Sequence, residues 1–184
     1  MFIQTEQTPN PATLKFLPGR EVMGTGTADF ASVDDAKRSP LAEHLFGIDG
    51  VAGVFLGSDF VTVTKQSDKD WHLLKPAILG AIMEHYTSGR PIVVGPAENV
   101  GTPVGEDDSE IVTQIKDLID TRVRPAVAQD GGDIVFQSFE DGIVYLHMQG
   151  SCSGCPSSTA TLKAGIENML KHYIPEVVEV RAVM

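Results

Sequence analysis

Hydrophobic and polar positions change period several times along this 184-residue chain, and each change marks an element. Residues 2–6 and 12–17 are short runs containing Phe, Ile, Thr and Leu, separated by Thr8-Pro9-Asn10-Pro11 and closed by Pro18-Gly19. That composition predicts two strands around a proline turn. After a polar stretch, Ser39 stands where an N-cap hydroxyl would, Pro40 suits the first helical turn, and Leu41, Leu45 and Phe46 follow in a short helix. Residues 51–56 and 60–64 flank Gly57-Ser58-Asp59 and read as a hairpin. The clearest helix of the first half begins after Asp70. Leu73, Leu74, Ala77, Ile78, Ala81, Ile82 and Tyr86 recur every three or four residues, as one face of a helix requires, until Gly89 and Pro91 stop it.

Residues 91–108 lose all periodicity and carry Gly95-Pro96, Gly101, Pro103 and Gly105-Glu106-Asp107-Asp108, the composition of an exposed, flexible linker. Beyond it, Ser109 is a second N-cap candidate. Asp107, Asp108 and Glu110 complement the dipole of a helix whose apolar face is Ile111, Ile115, Leu118 and Ile119, and Pro125 should kink or end it. Residues 134–139 and 143–148 surround Glu140-Asp141-Gly142, a hairpin pattern. From Ser157 onward, Leu162, Ile166, Met169, Leu170 and Tyr173 take helical spacing up to Pro175, and residues 177–183 form a closing strand. The fold class expected is α+β, two small mixed domains: residues 1–90, a linker at 91–108, and residues 109–184 in the order α-β-β-α-β.

Composition narrows the function. The chain is 42% hydrophobic and 21% charged, an ordinary globular balance, and no stretch approaches the roughly 20 apolar residues of a membrane crossing. Its start lacks the basic-then-apolar pattern of a signal peptide, so a cytoplasmic setting is expected, with a mature mitochondrial matrix form as the alternative. A net charge of −11 argues against nucleic acid, whose binding draws on Lys and Arg.

The two cysteines, Cys152 and Cys155, stand three positions apart, too few and too close for a secreted disulfide framework. They fall in a loop between a predicted strand and a predicted helix. A helix N-terminus favours thiolate, which is both metal ligand and nucleophile. Ser153 and Gly154 between them are small enough for both sulfurs to face one metal group. Structural zinc and cubane clusters usually take about four protein ligands, so one copy supplies half a site and a homodimer could supply the whole. A thiol-disulfide oxidoreductase and a zinc-stabilised dimeric module stay open on these residues. The oxidoreductase fits less well, because thioredoxin-like enzymes place the motif after the first strand of a βαβ unit.

Gln129-Asp130-Gly131-Gly132-Asp133-Ile134 followed by Gly150-Ser151-Cys152-Ser153-Gly154-Cys155-Pro156-Ser157-Ser158 resembles the C-terminal domain of the NifU family, the Nfu-type iron-sulfur carriers. Gln7-Thr8-Pro9-Asn10-Pro11-Ala12-Thr13-Leu14-Lys15-Phe16 is similar to the N-terminal domain that precedes it in mitochondrial and related bacterial members. The resemblance implies a carrier without turnover of its own, with a [4Fe-4S] cluster bridged by a homodimer, Cys152 and Cys155 as ligands, an upstream assembly scaffold as donor and apoproteins as recipients. Nothing matches the three-cysteine set of the primary scaffold, which favours passing clusters on over building them. The first domain has no cysteine, leaving partner recognition as its expected role.

Other features read as structure. Asp130-Gly131-Gly132-Asp133 suits a tight turn better than ligation. His44, His72, His85, His147 and His172 lack ligand spacing, and Trp71 and the 73–86 stripe are packing residues. Gly50, Gly53 and Gly57 make no nucleotide fingerprint.

Overall fold

The computed structural model describes residues 2–8, 10–24, 27–94, 109–151 and 156–183. The chain divides into two compact units, Met1–Asn99 and Val100–Met184, each with its own α+β core.

In the first unit, strands β1 (Gln4–Gln7) and β2 (Thr13–Leu17) pair antiparallel around the proline turn. The Asn10 side-chain oxygen accepts from the Ala12 N–H at 3.0 Å and Thr8 Oγ1 donates to the Asn10 carbonyl at 2.8 Å, so short polar side chains build the reversal. Strand β3 (Ala28–Phe30), the one-turn helix α1 (Val33–Ala36) and helix α2 (Pro40–Phe46) come next. Ser39 caps α2 by accepting from the Ala42 N–H, as its sequence position implied. Strands β4 (Val51–Leu56) and β5 (Val61–Lys65) form the expected hairpin and complete a sheet in the order β1-β2-β5-β4-β3. Phe16, Phe30, Leu41, Leu45, Leu56, Ile78 and Ile82 are fully buried in its core.

Helix α3 (Trp71–Ser88) is capped by Asp70, which accepts from the His72 N–H at 2.9 Å, and is closed by Gly89 at φ 71°. Its buried arc is narrower than the sequence stripe: Leu74, Ile78, Ala81 and Ile82 point inward, whereas Leu73 is 79% exposed and Ala77 is exposed. The fifth inward residue is His85, a polar side chain within an apolar arc. Residues 91–94, expected in the linker, are tied to this unit. Ser39 Oγ donates to the Ile92 carbonyl and the Val94 N–H to the Arg38 carbonyl, while Ile92 and Val93 pack on the core. The rest of the expected linker, 95–108, lies outside the described residues.

The second unit starts with α4 (Glu110–Leu118), capped by Ser109, whose side chain accepts from the Val112 N–H. Pro125 does not end the helical path. A π-helical turn, Ile119–Val123, precedes α5 (Arg124–Gln129), and the Arg124 N–H bonds to the Ile119 carbonyl five residues back. Proline lacks an N–H and its ring crowds the carbonyl four residues earlier; a widened turn relieves both conflicts, so the chain stays helical. Strands β6 (Gly132–Glu140) and β7 (Ile143–Gly150) meet at Asp141 (φ 52°) and Gly142 (φ 79°). Two consecutive left-handed residues are what a tight hairpin turn needs to match strand twist. Helix α6 (Pro156–Tyr173) carries the chain back so that β8 (Glu179–Val183) lies parallel to β7, with Tyr145 opposite Arg181. A crossover helix is the usual way to join parallel neighbours. Ile115, Ile119, Val123, Val127, Ile166 and Leu170 from the helices pack on Ile134, Val144, Leu146 and Val180 from the sheet.

Candidate functional site

Cys152 and Cys155 lie outside the described residues, but the elements on both sides of them are defined. The last residues of β7 lead directly into the motif, and α6 opens at Pro156, the residue after Cys155. Pro at the first helical position gives up an N–H that has no partner in the helix, and its fixed φ suits the start. The motif therefore falls between a strand end and the N-terminus of an 18-residue helix, where exposed N–H groups and the helix dipole favour thiolate over thiol.

The strand end is held by the Asp130-Gly131-Gly132-Asp133 turn. Gly132 pairs with Gly150 across the β6–β7 ladder. One residue on, the Ser151 N–H donates to the Gly131 carbonyl at 3.2 Å and Ser151 Oγ donates to the Asp130 carbonyl at 2.5 Å. Ser151 is 2% exposed, so the hydroxyl is largely out of water, while its acceptor residue Asp130 lies at the surface. The geometry depends on Gly131 at φ 79° and Gly150 at φ 64°, left-handed conformations that side chains rarely adopt.

Asp133 closes the other end of the turn. Its carboxylate is buried and accepts a bidentate pair from Arg124, Nε to Oδ1 at 2.9 Å and Nη2 to Oδ2 at 2.9 Å. Oδ1 also accepts from the Ile134 N–H at 2.9 Å. Arg124 reaches Asp120, one helical turn back, at 3.3 Å. The hydrogen bonds to Asp133 raise the guanidinium pKa above its ordinary value, against an opposing push from burial. Bidentate charge-assisted bonds are the strong kind, and here they join the π-turn region of the helix to the first residues of β6.

The turn assigned by sequence to Asp130–Asp133 is thus present, and within it the Asp133 carboxylate is engaged by Arg124. Sequence reading passed over Ser151 and Arg124. The signal for Arg124 was a cation just before Pro125 with an acid four residues earlier; for Ser151 it was a hydroxyl between a glycine and the first cysteine.

Among the described residues, no group of three or more His, Cys, Asp or Glu side chains is placed to hold a metal ion. His85 is a core side chain, 3% exposed, whose Nε2 lacks a hydrogen-bond partner. Burial holds its pKa below 6.5, and nearby His44 pushes the same way. His147 sits on β7 and His172 stacks edge-on against Tyr173 at the end of α6. Among the described residues no helix is long and apolar enough to cross a membrane.

Comparison with known proteins matches both units. The family profile described as "Scaffold protein Nfu/NifU N terminal" covers residues 3–89, and the one described as "NifU-like domain" covers residues 115–181. The chain is 55% identical over its whole length to the Drosophila willistoni protein named "NFU1 iron-sulfur cluster scaffold homolog, mitochondrial", and spans 64% of that protein. It is 57% identical over 96% of its length to "NifU-like protein 4, mitochondrial" of Arabidopsis thaliana, again spanning 64% of the relative. The human protein named "NFU1 iron-sulfur cluster scaffold homolog, mitochondrial" is 55% identical, with 100% of this chain and 72% of the relative aligned. The chain thus spans a little under two thirds of the length of the first two relatives. With both domains present in family order and identity above half across the chain, it belongs to the Nfu/NifU-like family.

Proposed function

We propose that this chain is an iron-sulfur cluster carrier in which Cys152 and Cys155 of two copies hold one [4Fe-4S] cluster and hand it to apoproteins. The observation that carries the reading is the position of the chain's two cysteines: both fall between the clamped end of β7 and the start of α6. Two thiolates in one chain leave a cubane two ligands short, and a two-fold pairing of identical motifs supplies the rest. Ligation shared across an interface suits cargo, because each copy can withdraw its pair of sulfurs as a recipient offers its own. Small residues between the cysteines leave backbone N–H groups able to donate to sulfur.

The cluster comes from an upstream assembly scaffold, and the protein performs no turnover itself. The first unit, which carries no cysteine, recognises partners. Free thiolates require a reducing compartment. The names of the relatives, all mitochondrial, support the mature mitochondrial matrix form over the cytoplasmic setting expected from the sequence.

The test is anaerobic reconstitution of the full chain with ferrous iron and sulfide, read by visible absorbance, metal content and sedimentation. About four iron and four sulfide per dimer are expected. Cys152→Ser and Cys155→Ser should each abolish both the chromophore and the cluster-linked dimer. A colourless protein that takes up zinc instead, or one that reduces protein disulfides at the rate of a dedicated reductase, would overturn the proposal.

A further inference from the structure

We infer that the Ser151 hydroxyl is a positioning group for the cysteine motif and governs how long the protein keeps its cluster. The inference rests on the carrier reading above and concerns a residue to which that reading gives no role.

Ser151 is the last described residue before Cys152, so what holds Ser151 holds the chain at the point where the motif starts. Two bonds fix it, and both go to the same turn: N–H to the Gly131 carbonyl and Oγ to the Asp130 carbonyl. The N–H bond alone constrains one side of the peptide. The hydroxyl adds a second tether about one residue away, and together they suppress rotation of the strand end about the first bond. The acceptors are themselves immobilised. Asp130 ends α5, Gly132 is paired in the ladder, and Asp133 is held by Arg124 in a bidentate ion pair. The end of β7 is therefore referred through Ser151 to a turn braced at both ends, immediately before the cysteine motif begins.

The burial of Ser151 sharpens the point. A hydroxyl that is nearly inaccessible to water gains no solvent bond when the tether breaks, so the tethered state is strongly preferred. Sulfur ligands presented from a fixed backbone lose less entropy on closing around a cluster than ligands on a loose loop. Releasing the tether should leave the ligands in place and weaken their hold.

The test compares wild type, Ser151→Ala, Ser151→Thr and Val180→Ala, each reconstituted as the full chain and challenged anaerobically with a ferrous chelator. Val180 is fully buried in the same unit and bonds only through its backbone, so its truncation softens the core without touching the tether. Loss of one buried hydrogen bond corresponds to about a fivefold change in an equilibrium or rate. Ser151→Ala should therefore release iron about fivefold faster than wild type, with an altered visible circular dichroism band, while Ser151→Thr, which keeps the hydroxyl, releases it at the wild-type rate. Val180→Ala should lower the melting temperature of the cluster-free protein and leave the release rate unchanged. Equal release from wild type and Ser151→Ala, equal acceleration by Val180→Ala, or failure of Ser151→Thr to retain iron better than Ser151→Ala would overturn the inference. Wild-type protein that forms no cluster at all overturns the carrier reading instead, so the two failures are distinguishable.

Discussion

Replacing Arg124 should cost the second unit far more than replacing its partner Asp133. In Arg124→Met the aliphatic stem is kept and the guanidinium lost, which strands a carboxylate whose side chain is 4% exposed. Two charge-assisted bonds at 2.9 Å disappear, and the neutral Ile134 N–H that also reaches Oδ1 does not replace their charge. Leaving one member of a buried ion pair uncompensated costs about 3–5 kcal/mol. Asp133→Asn is a smaller perturbation. Arg124 is more accessible, at 17% side-chain exposure, and still reaches Asp120, while the Asn amide oxygen can accept from Ile134. About 1–2 kcal/mol is expected for that change. In the double variant neither charge is stranded, so its cost should fall below the sum of the two singles by about 1–2 kcal/mol.

The sequence provides a convenient way to separate the units in this measurement. Trp71 is the chain's single tryptophan and lies at the start of α3, with its Nε1 donating to the Pro11 carbonyl at 3.2 Å. It packs on the core of the first unit, so its fluorescence reports the unfolding of that unit. In Arg124→Met, urea unfolding followed by Trp71 emission should match wild type, while the far-ultraviolet circular dichroism component from the second unit moves to lower urea. For a unit of this size, about 3 kcal/mol corresponds to a fall in melting temperature of roughly 15 °C. If Asp133→Asn proves as costly as Arg124→Met, or if Arg124→Met costs under 1 kcal/mol, the assignment of a buried, mutually compensated pair is wrong.

Two further outcomes test the first unit. His85 is held neutral by burial, so its folded-state pKa lies below the unfolded value near 6.5. Between those two values the unfolded chain binds more protons, and its stabilising contribution is complete above pH 6.5 and lost as pH falls toward the lowered value. The Trp71 melting transition should accordingly drop as the pH falls below about 6.5, and His85→Leu should flatten that dependence; an unchanged slope in the variant would remove His85 as its source. Leu74→Ala should destabilise the unit by about 2–4 kcal/mol, whereas Leu73→Ala, at an exposed position one residue away, should change it by under about 0.5 kcal/mol, both read by urea unfolding.

Elements legible in the sequence were those specified locally. Asp70, Ser39 and Ser109 each cap the helix their position implied, and the Asp141-Gly142 turn takes the left-handed pair its composition favours. Strand β3 and helix α1 escaped notice because three and four residues carry no period; their order comes from pairing with β4 and from burial of Phe30. The Ser32 hydroxyl that accepts from the Asp35 N–H was the one local cue. Leu73 shows the opposite limit. An apolar residue at the edge of a helical stripe is compatible with either side of the boundary, and the packing of α3 on the sheet decides it. His85 lies well inside the buried arc, but a polar residue does not contribute to an apolar pattern, so the pattern could not reveal it.

The same distinction explains what was and was not visible around Cys152 and Cys155. Their chemistry is written in residue type and spacing, and both are local. The support beneath them is not, because Ser151 bonds to a residue 21 positions earlier and Arg124 to one nine positions later. Sequence reading therefore treated the Asp130–Asp133 turn and the cysteine motif as separate features, a structural one and a functional one. The fold joins them. Gly131 reaches φ 79°, and that conformation aims the Asp130 and Gly131 carbonyls at the oxygen and nitrogen of Ser151. A side chain at Gly131 would favour leaving the left-handed region, which would turn both acceptors away together. The glycine that looked like a turn residue is thus one of the parts that holds the end of β7 immediately before the cysteine motif.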